Sequence, residues 1–404
     1  MLYDLAICGG GASGLVSAIT AAEKEDKVLV LEAGDRIGRK ISASGNGRCN
    51  LMNTNAPIYY GDNDFAISVL SEIGVRQQTD FWTEHGLAIN EDGSGRVYPA
   101  SDLSSSVLDV IRMHFKKNSI EVCCHERAVA ITGSKNKSFS VRCASGHQWY
   151  AKRVIVACGG MAQPKLGGSP DGYRLLSAYG HKIVECKPAL TQIITDSRSI
   201  SGLKGIRQNR VQVSLRRKGA LLHRETGEIL FTEYGVSGIC VMQCARFAQK
   251  GDQLCISFSS SLGFNDTNEC ENALRRKRNL FADGKPAELL NGWLTPKLGY
   301  AVCKKAGIDV TKESIALLTE IDLHQIAEAL ENYPLTVEGT QGFETAQVTA
   351  GGLDCSEFDS HTMESKLVPG IHCTGETLNV DGDCGGFNLM FAFATGILAG
   401  RNGR

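Results

Sequence analysis

The hydrophobic pattern opens with a short apolar run, Leu2 to Cys8, then Gly9-Gly10-Gly11-Ala12-Ser13-Gly14, then an Ala-rich segment. A run of that length bounded by glycines predicts a buried strand, and Leu15–Lys24 predicts a helix. Lys27–Leu31 predicts a second strand, ending at Glu32. The segment Ile41–Asn50 is polar and Gly-rich, which predicts an extended stretch laid against a ligand. Helical patterns follow at Asp64–Glu72 and Leu103–Lys116, with short strands at Ile120–Val122 and Phe139–Cys143. Arg153–Ala157 is another buried strand and runs into Gly159-Gly160. The turn Gly167–Gly172 then precedes a helix over Tyr173–Tyr179.

Around Pro188 the texture changes. Val211–Arg216 alternates apolar and polar with period two, as a half-exposed strand does. Leu221-Leu222 and Ile229–Phe231 flank a polar turn containing Gly227, which predicts a hairpin, and Leu254–Phe258 adds a strand. From Asn268 to Tyr333 the pattern is helical, with Ile326, Ala329, Leu330 and Tyr333 on one face. At the end of the chain Gly370–Glu376 predicts a strand closing on Gly-Glu. A second Gly-rich turn, Asp381–Asn388, then opens a helix over Leu389–Ala399. The division expected is one domain from 1–188 plus 343–404, an inserted β-rich domain at 189–270 and a helical domain at 271–342.

Strand, Gly-rich turn, helix, strand and acid in that order give G-x-G-x-x-G a mechanism. Gly9 permits the tight turn, Gly11 lets backbone approach a pyrophosphate, and Gly14 allows close helix–strand packing. The opened helix presents free N–H groups and the positive end of its dipole to phosphate. Glu32 lies about 20 residues on, where an acid accepts ribose hydroxyls. A single dinucleotide site built from both ends of the chain, with a module inserted between, is a flavoprotein layout. The fold class expected is α/β, a Rossmann-like FAD-binding domain of the two-dinucleotide-binding type with an inserted β-rich lobe and a helical lobe.

Composition narrows the picture modestly. With 404 residues, 42% hydrophobic and 22% charged, the chain is an ordinary globular protein of two or three domains. A net charge of −1 gives no electrostatic footprint for nucleic acid or an anionic membrane. The run Arg275-Arg276-Lys277-Arg278 reads as a solvated helix face. No stretch approaches the ~20 apolar residues that span a bilayer, and no leader fits before the first strand, so a cytoplasmic address is expected. The 15 cysteines lack any CxxC and read as reduced, mostly buried thiols, and no metal-ligand cluster or Ser-His-Asp arrangement shows itself. His85, His114 and His324 read as surface or satisfied core residues.

Arg36–Asn50 with its Ser-Gly-Asn-Gly-Arg-Cys-Asn segment, Leu230–Gly238, Val348–Gly352 and Pro369–Gly400 together make the chain resemble the HI0933-like, or BaiN-like, bacterial FAD-dependent oxidoreductases. Flavoproteins of the aminoacetone oxidase type belong to that group. The likeness covers nearly the whole chain. It departs from the family pattern at Glu233, where His is common, and at Ile239, where Pro is common. What it implies is a tightly bound FAD held by Gly9, Gly11, Ala12, Ser13, Gly14, Glu32 and Ala33. Arg39 or Lys40 would neutralise phosphate or reach the ribose, and Ala157 and Gly159 end the returning strand beside the cofactor. Asn46, Arg48, Cys49 and Asn50 would line the path to the isoalloxazine, with Cys49 a packed thiol. Gly375 and Glu376 would meet the pyrophosphate and ribityl chain. Gly385, Gly386, Phe387 and Asn388 would open the last helix towards flavin N1 and O2. Arg48 is the catalytic candidate, through stabilisation of a developing anion, with a structural ion pair or a phosphate clamp as the alternatives. The sequence names no proton donor.

The activity implied is NAD(P)H-linked reduction of a small or steroid-like unsaturated substrate, with the nicotinamide a transient donor and the pocket under residues 189–342. A flavin amine oxidase releasing peroxide is the alternative. A non-catalytic FAD-bound protein touching RNA through Arg275–Arg278 is the other. No nucleic-acid or membrane partner is expected, and the sequence is silent on oligomeric state.

Overall fold

The computed structural model describes residues 1–24 and 26–402. The chain divides into two compact units, Met1–Pro188 with Gln347–Arg404, and Ala189–Ala346.

A mostly parallel sheet frames the first unit. Its strands Glu121–Cys123, Val28–Leu31, Leu2–Cys8 and Gln148–Val156 lie side by side in that order, all parallel. The last of these divides its partners. Gln148–Ala151 pairs antiparallel with Ser138–Cys143, and Val154–Val156 pairs parallel with Ile371–Cys373. Numbered along the chain, the five parallel strands run 3-2-1-4-5, the order of a doubly wound dinucleotide fold. Such strands are buried on both faces, so they read as continuous apolar runs rather than alternating ones. Leu5–Cys8, Val28–Leu31 and Val154–Val156 are at most 2% exposed.

The helices Asn63–Glu72 and Ser104–Lys117 form within a residue or two of expectation. Helix Val75–Glu84, which buries Gln78, Phe81 and Trp82, was not visible in the pattern. The expected extended stretch over Ile41–Asn50 is a correction: it coils. Gly38 at φ +73° opens a short helix, Arg39–Ala43, and Ser44–Gly47 makes a tight turn with Gly45 and Asn46 both at φ +56°. Those left-handed residues reverse the chain and bury Ile41 and Cys49.

In the second unit six strands close a barrel. Around it run Ile193–Thr195, Gly235–Ser237, Ala220–Phe231, Arg207–Arg217, Gln253–Ser257 and Tyr333–Thr340, the last pairing with the first. The expected hairpin turn at Gly227 is also corrected. Ala220–Phe231 is one strand in which Gly227 faces Val211, and the reversal falls at Lys218-Gly219, both with positive φ. Gly227 serves close packing instead: a Cβ there would lie 3.3 Å from the Cβ of Cys240. Helices Thr267–Leu280, Pro296–Lys305 and Glu320–Glu331 supply Leu274, Leu298, Leu323 and Ile326 to the cluster that holds Val213 and Leu254 of the barrel. Strands and helices of this unit therefore fold around one core. Tyr333 begins a strand rather than ending a helix, because Pro334 cannot continue the helical ladder.

The two ends of the chain meet at a helix pair in the first unit. A Cβ on Gly396 would lie 2.4 Å from Ser13 O, and one on Gly400 would lie 2.7 Å from Ser17 O. Ser17 Oγ donates to Gly396 O at 2.9 Å across the contact. Matching steps of four in the same sense make helices Ala12–Ala22 and Phe387–Arg401 parallel. Gly396→Val should therefore cost about 1–3 kcal/mol of stability through overpacking, read from the denaturation midpoint. An unchanged midpoint would show that these helices are not held at backbone distance.

Candidate active site

The crevice where the order of this doubly wound sheet reverses lies between the carboxyl ends of Leu2–Cys8 and Gln148–Val156. The Gly-rich turn sits there. A Cβ on Gly9 (φ +118°) would fall 2.3 Å from Ala157 O, and one on Gly14 would fall 2.1 Å from Gly9 O. Both positions admit glycine alone. Gly11 differs: a Cβ there would meet nothing within 4 Å, so its outer side is open. Gly11 is also the N-cap of Ala12–Ala22 and caps it with no side chain. An open, side-chain-free helix N-terminus at the switch point is a cradle for pyrophosphate. Ser13 is buried and takes a hydrogen bond from Thr374 Oγ1 at 3.0 Å, so it ties the turn to the returning strand.

Glu32 is held beside the Gly-rich turn by two backbone N–H groups. Gly10 N–H donates to its Oε2 at 2.8 Å and Gly34 N–H to its Oε1 at 2.6 Å, which fixes the carboxylate against the Gly turn. Each carboxylate oxygen keeps further acceptor capacity. Ala33 beside it is exposed. Lys40 Nζ lies 3.4 Å from Glu376 Oε2, and Glu376 Oε1 accepts from Thr349 N–H at 2.6 Å. Gly159 faces that pair, since a Cβ on it would lie 3.9 Å from Lys40 Nζ and 4.0 Å from Glu376 Oε2. Arg39 is turned elsewhere, to Lys165 O and towards Asp35.

The terminal helix supplies a second N-terminus. Gly386 (φ +107°) is its N-cap, with no side chain capping it. The register of the helix pair sets Phe387 eight residues ahead of the level of Ala12, about 12 Å of helix rise. Two positive helix ends thus stand side by side, offset by roughly the reach of an extended sugar-alcohol spacer. Phe387 and Asn388 contribute backbone only. Phe387 packs edge-on to Tyr59, and the Asn388 amide bridges Gly382 N–H and Gly382 O, both at 2.8 Å. Gly375 (φ +66°) fits between the two helices, its N–H donating to Thr395 Oγ1 at 3.0 Å.

Of the Ser44–Asn50 loop, Asn46 and Cys49 adopt left-handed conformations. Burial pushes the Cys49 thiol up to about 12, so it stays protonated and inert near neutral pH. Cys158, next to Gly159, is likewise pushed up to about 12 by burial. Asn50 is buried, and its Oδ1 has no hydrogen-bond partner. Arg48 makes the ion pair anticipated as an alternative: Nη2 and Nε reach Asp102 Oδ1 at 2.5 and 3.0 Å, and the guanidinium lies 3.9 Å over the Tyr98 ring. Sequence reasoning missed Thr349, Thr374, Thr377 and Thr395. Thr377 Oγ1 accepts from Gly159 N–H at 3.0 Å, and together these hydroxyls staple the glycine turns. Only their position near glycines hinted at it.

Elsewhere two arginines of the basic run are committed to acids. Arg275 pairs with Glu320 and Glu271, and Arg278 pairs with Glu320. His85 stacks on Phe81 at 4.1 Å, His114 bonds His85 O, and His324 bonds Glu271.

The residues present suit a dinucleotide bearing a redox ring: an open phosphate cradle, a fixed carboxylate and a second uncapped helix end. Comparison with known proteins agrees. The family model for the HI0933-like protein Rossmann domain matches residues 3–402. A 3-dehydro-bile acid delta(4,6)-reductase of Clostridium scindens is 36% identical over 98% of both chains. A ribosomal RNA dihydrouridine synthase of Escherichia coli is 26% identical, covering 97% of this chain and 96% of that one. Among solved structures, a 3-ketosteroid delta1-dehydrogenase from Sterolibacterium denitrificans shares the fold at a TM-score of 0.50 and 12% identity, over 99% and 98% of the two chains. Among the described residues no helix is long and apolar enough to cross a membrane. The chain belongs to the HI0933-like family and is an FAD-dependent oxidoreductase.

Proposed function

We propose that the chain reduces a carbon–carbon double bond conjugated to a carbonyl in a steroid-like small molecule, with NAD(P)H as transient donor. The observation that carries this reading is the 36% identity to the bile acid reductase over 98% of both chains. The second relative points to the same reaction type, since dihydrouridine is uridine with its ring double bond saturated. The ion-paired state of Arg275 and Arg278 favours a small molecule over RNA.

Bound FAD supplies two-electron hydride chemistry to such a site. The chain's own residues bind and bias it. Gly11 and the first turn of Ala12–Ala22 take the pyrophosphate, and Glu32 takes the adenosine ribose. Ala157, Gly159, Gly375 and Glu376 flank the path between the two helix ends. The N-terminus of Phe387–Arg401 faces the redox ring with positive potential and favours negative charge there. Arg48, whose charge persists at any working pH, is proposed to stabilise the anion that develops on the substrate carbonyl as the double bond is reduced. Its Asp102 partner sets where that charge stands.

The deciding experiment mixes the purified yellow protein with NADH or NADPH without oxygen and then adds a conjugated steroid enone. Flavin bleaching by the nicotinamide and loss of the enone absorbance are expected. Bleaching by aminoacetone instead, with peroxide formed on aeration, would replace this reading with an amine oxidase. Conversion of RNA uridines alone would move the substrate to nucleic acid.

Substitutions at two residues test the assigned roles. Glu32→Ala should weaken FAD retention by roughly 1.5–3 kcal/mol for each charge-assisted bond lost, measured as flavin occupancy after dialysis. Unchanged occupancy would put the ribose contact on another residue. Arg48→Met should lower turnover by a factor of about 100 with FAD still bound, and Arg48→Lys should recover only part. If Arg48 serves as a phosphate clamp, the Met variant loses flavin and excess FAD restores its rate.

A further inference from the structure

The sheet of the first unit ends at the edge strand Ala128–Ser134, and helix Asp171–Ser177 lies against that strand. Small residues at Ala130, Gly133 and Ala178 leave the space between strand and helix unfilled, as a groove of about 420 Å³. That volume suits a small molecule. Val129, Ile131, Leu175 and Tyr179 give it apolar walls, and Val129 stays 46% exposed although it is apolar and β-branched. Tyr179 Oη donates to Ile131 O at 2.9 Å, so one edge carbonyl is already paired, which disfavours a peptide adding as a further strand. None of the lining residues belongs to the glycine turns of the site above.

The groove also carries a charge. Arg174 lines it with its side chain 74% exposed, and it shares a single carboxylate with Arg127. Arg127 Nη1 lies 3.2 Å from Asp171 Oδ2, whereas Arg174 Nη1 lies 3.9 Å from Asp171 Oδ1. Among the described residues neither guanidinium has another acid within 4 Å. Two cations against one anion leave a positive charge over, and the longer contact leaves it on Arg174. Apolar walls beside an uncompensated guanidinium are the complement of an apolar skeleton that ends in a carboxylate, which a guanidinium binds through two parallel N–H groups. We infer that the groove binds a small amphipathic acid, its skeleton on Val129, Ile131, Leu175 and Tyr179 and its carboxylate on Arg174. Steroid acids and fatty acids share this chemistry. The inference stands apart from the reductase reading.

Equilibrium dialysis of the holoenzyme against radiolabelled cholate, and separately against dodecanoate, tests it. At least one acid should bind. Cholate alone identifies a steroid acid, dodecanoate alone a fatty acid, and binding of both a groove open to either skeleton. The methyl ester of the bound acid, which has lost its charge, should bind about tenfold more weakly. Arg174→Gln should weaken the acid about tenfold and remove its advantage over the ester, while Arg174→Lys keeps part of both. Ala178 is exposed, so Ala178→Trp places its ring in the groove rather than in the core and should abolish this binding. Flavin absorbance should be the same in all of these proteins. Failure of both acids to bind overturns the inference, as does an ester that binds as well as its acid. Acid binding that survives both Arg174→Gln and Ala178→Trp also overturns it, because the acid then sits elsewhere, the catalytic site included.

Discussion

Backbone contact between the first and last helices is the constraint on which the rest of the first unit depends. Gly396 and Gly400 bring Phe387–Arg401 against Ser13 and Ser17 with no room for side chains. Larger residues would push the helices apart and break Ser17 Oγ to Gly396 O. The same contact seats Gly375 between the helices and lets Thr395 Oγ1 hold its N–H. It also fixes the register, and register sets the offset of the two N-termini. Moving the terminal helix by one turn along its neighbour would change that offset by ~5.4 Å, enough to misplace any ligand that bridges both ends.

Those two ends carry an electrostatic demand. The first N–H groups of a helix lack intrahelical partners, and proteins ordinarily satisfy them with a side chain or water. Asp266 and Thr319 show the side-chain solution in this chain, each accepting a first-turn N–H of its own helix. Gly11 and Gly386 cannot do so. Glycine at both caps leaves those donors without a side-chain cap and leaves space in front of Gly11. Helix ends of this kind suit anionic or electron-rich ligand atoms.

Much of this was legible in the sequence because parallel strands and glycine turns leave local signatures. Leu2–Cys8, Val28–Leu31 and Gly9–Gly14 lie where apolar runs and glycine spacing placed them. The coil at Ser44–Asn50 was not legible, since its shape comes from left-handed Gly45 and Asn46 together with Cys49, a residue that adopts such a conformation only when tertiary contacts require it. Gly227 misled for a related reason. A strand glycine marks either a turn or a close approach, and only the position of the helix bearing Cys240 distinguishes them. The threonines that staple the site were invisible because a hydroxyl's partner lies far away in sequence, as with Thr377 and Gly159.

The departures from the family pattern show why the cofactor is easier to read than the substrate. Ile239 is the first residue of the helix Ile239–Cys244, following Gly238 at φ +106°. Proline suits that position because its ring presets the helical φ and the missing N–H would lack an intrahelical partner anyway. Isoleucine there keeps the helix and presents an apolar side chain, 43% exposed. Glu233 pairs with Lys204 at 2.8 Å on the surface, a contact that adds little to stability. Both residues present their side chains to solvent. Gly9 and Gly14 are bound by sterics, and a side chain at either would distort the turn. Surface positions such as Glu233 and Ile239 face no such limit, and the relatives of this chain include both a 3-dehydro-bile acid delta(4,6)-reductase and a ribosomal RNA dihydrouridine synthase.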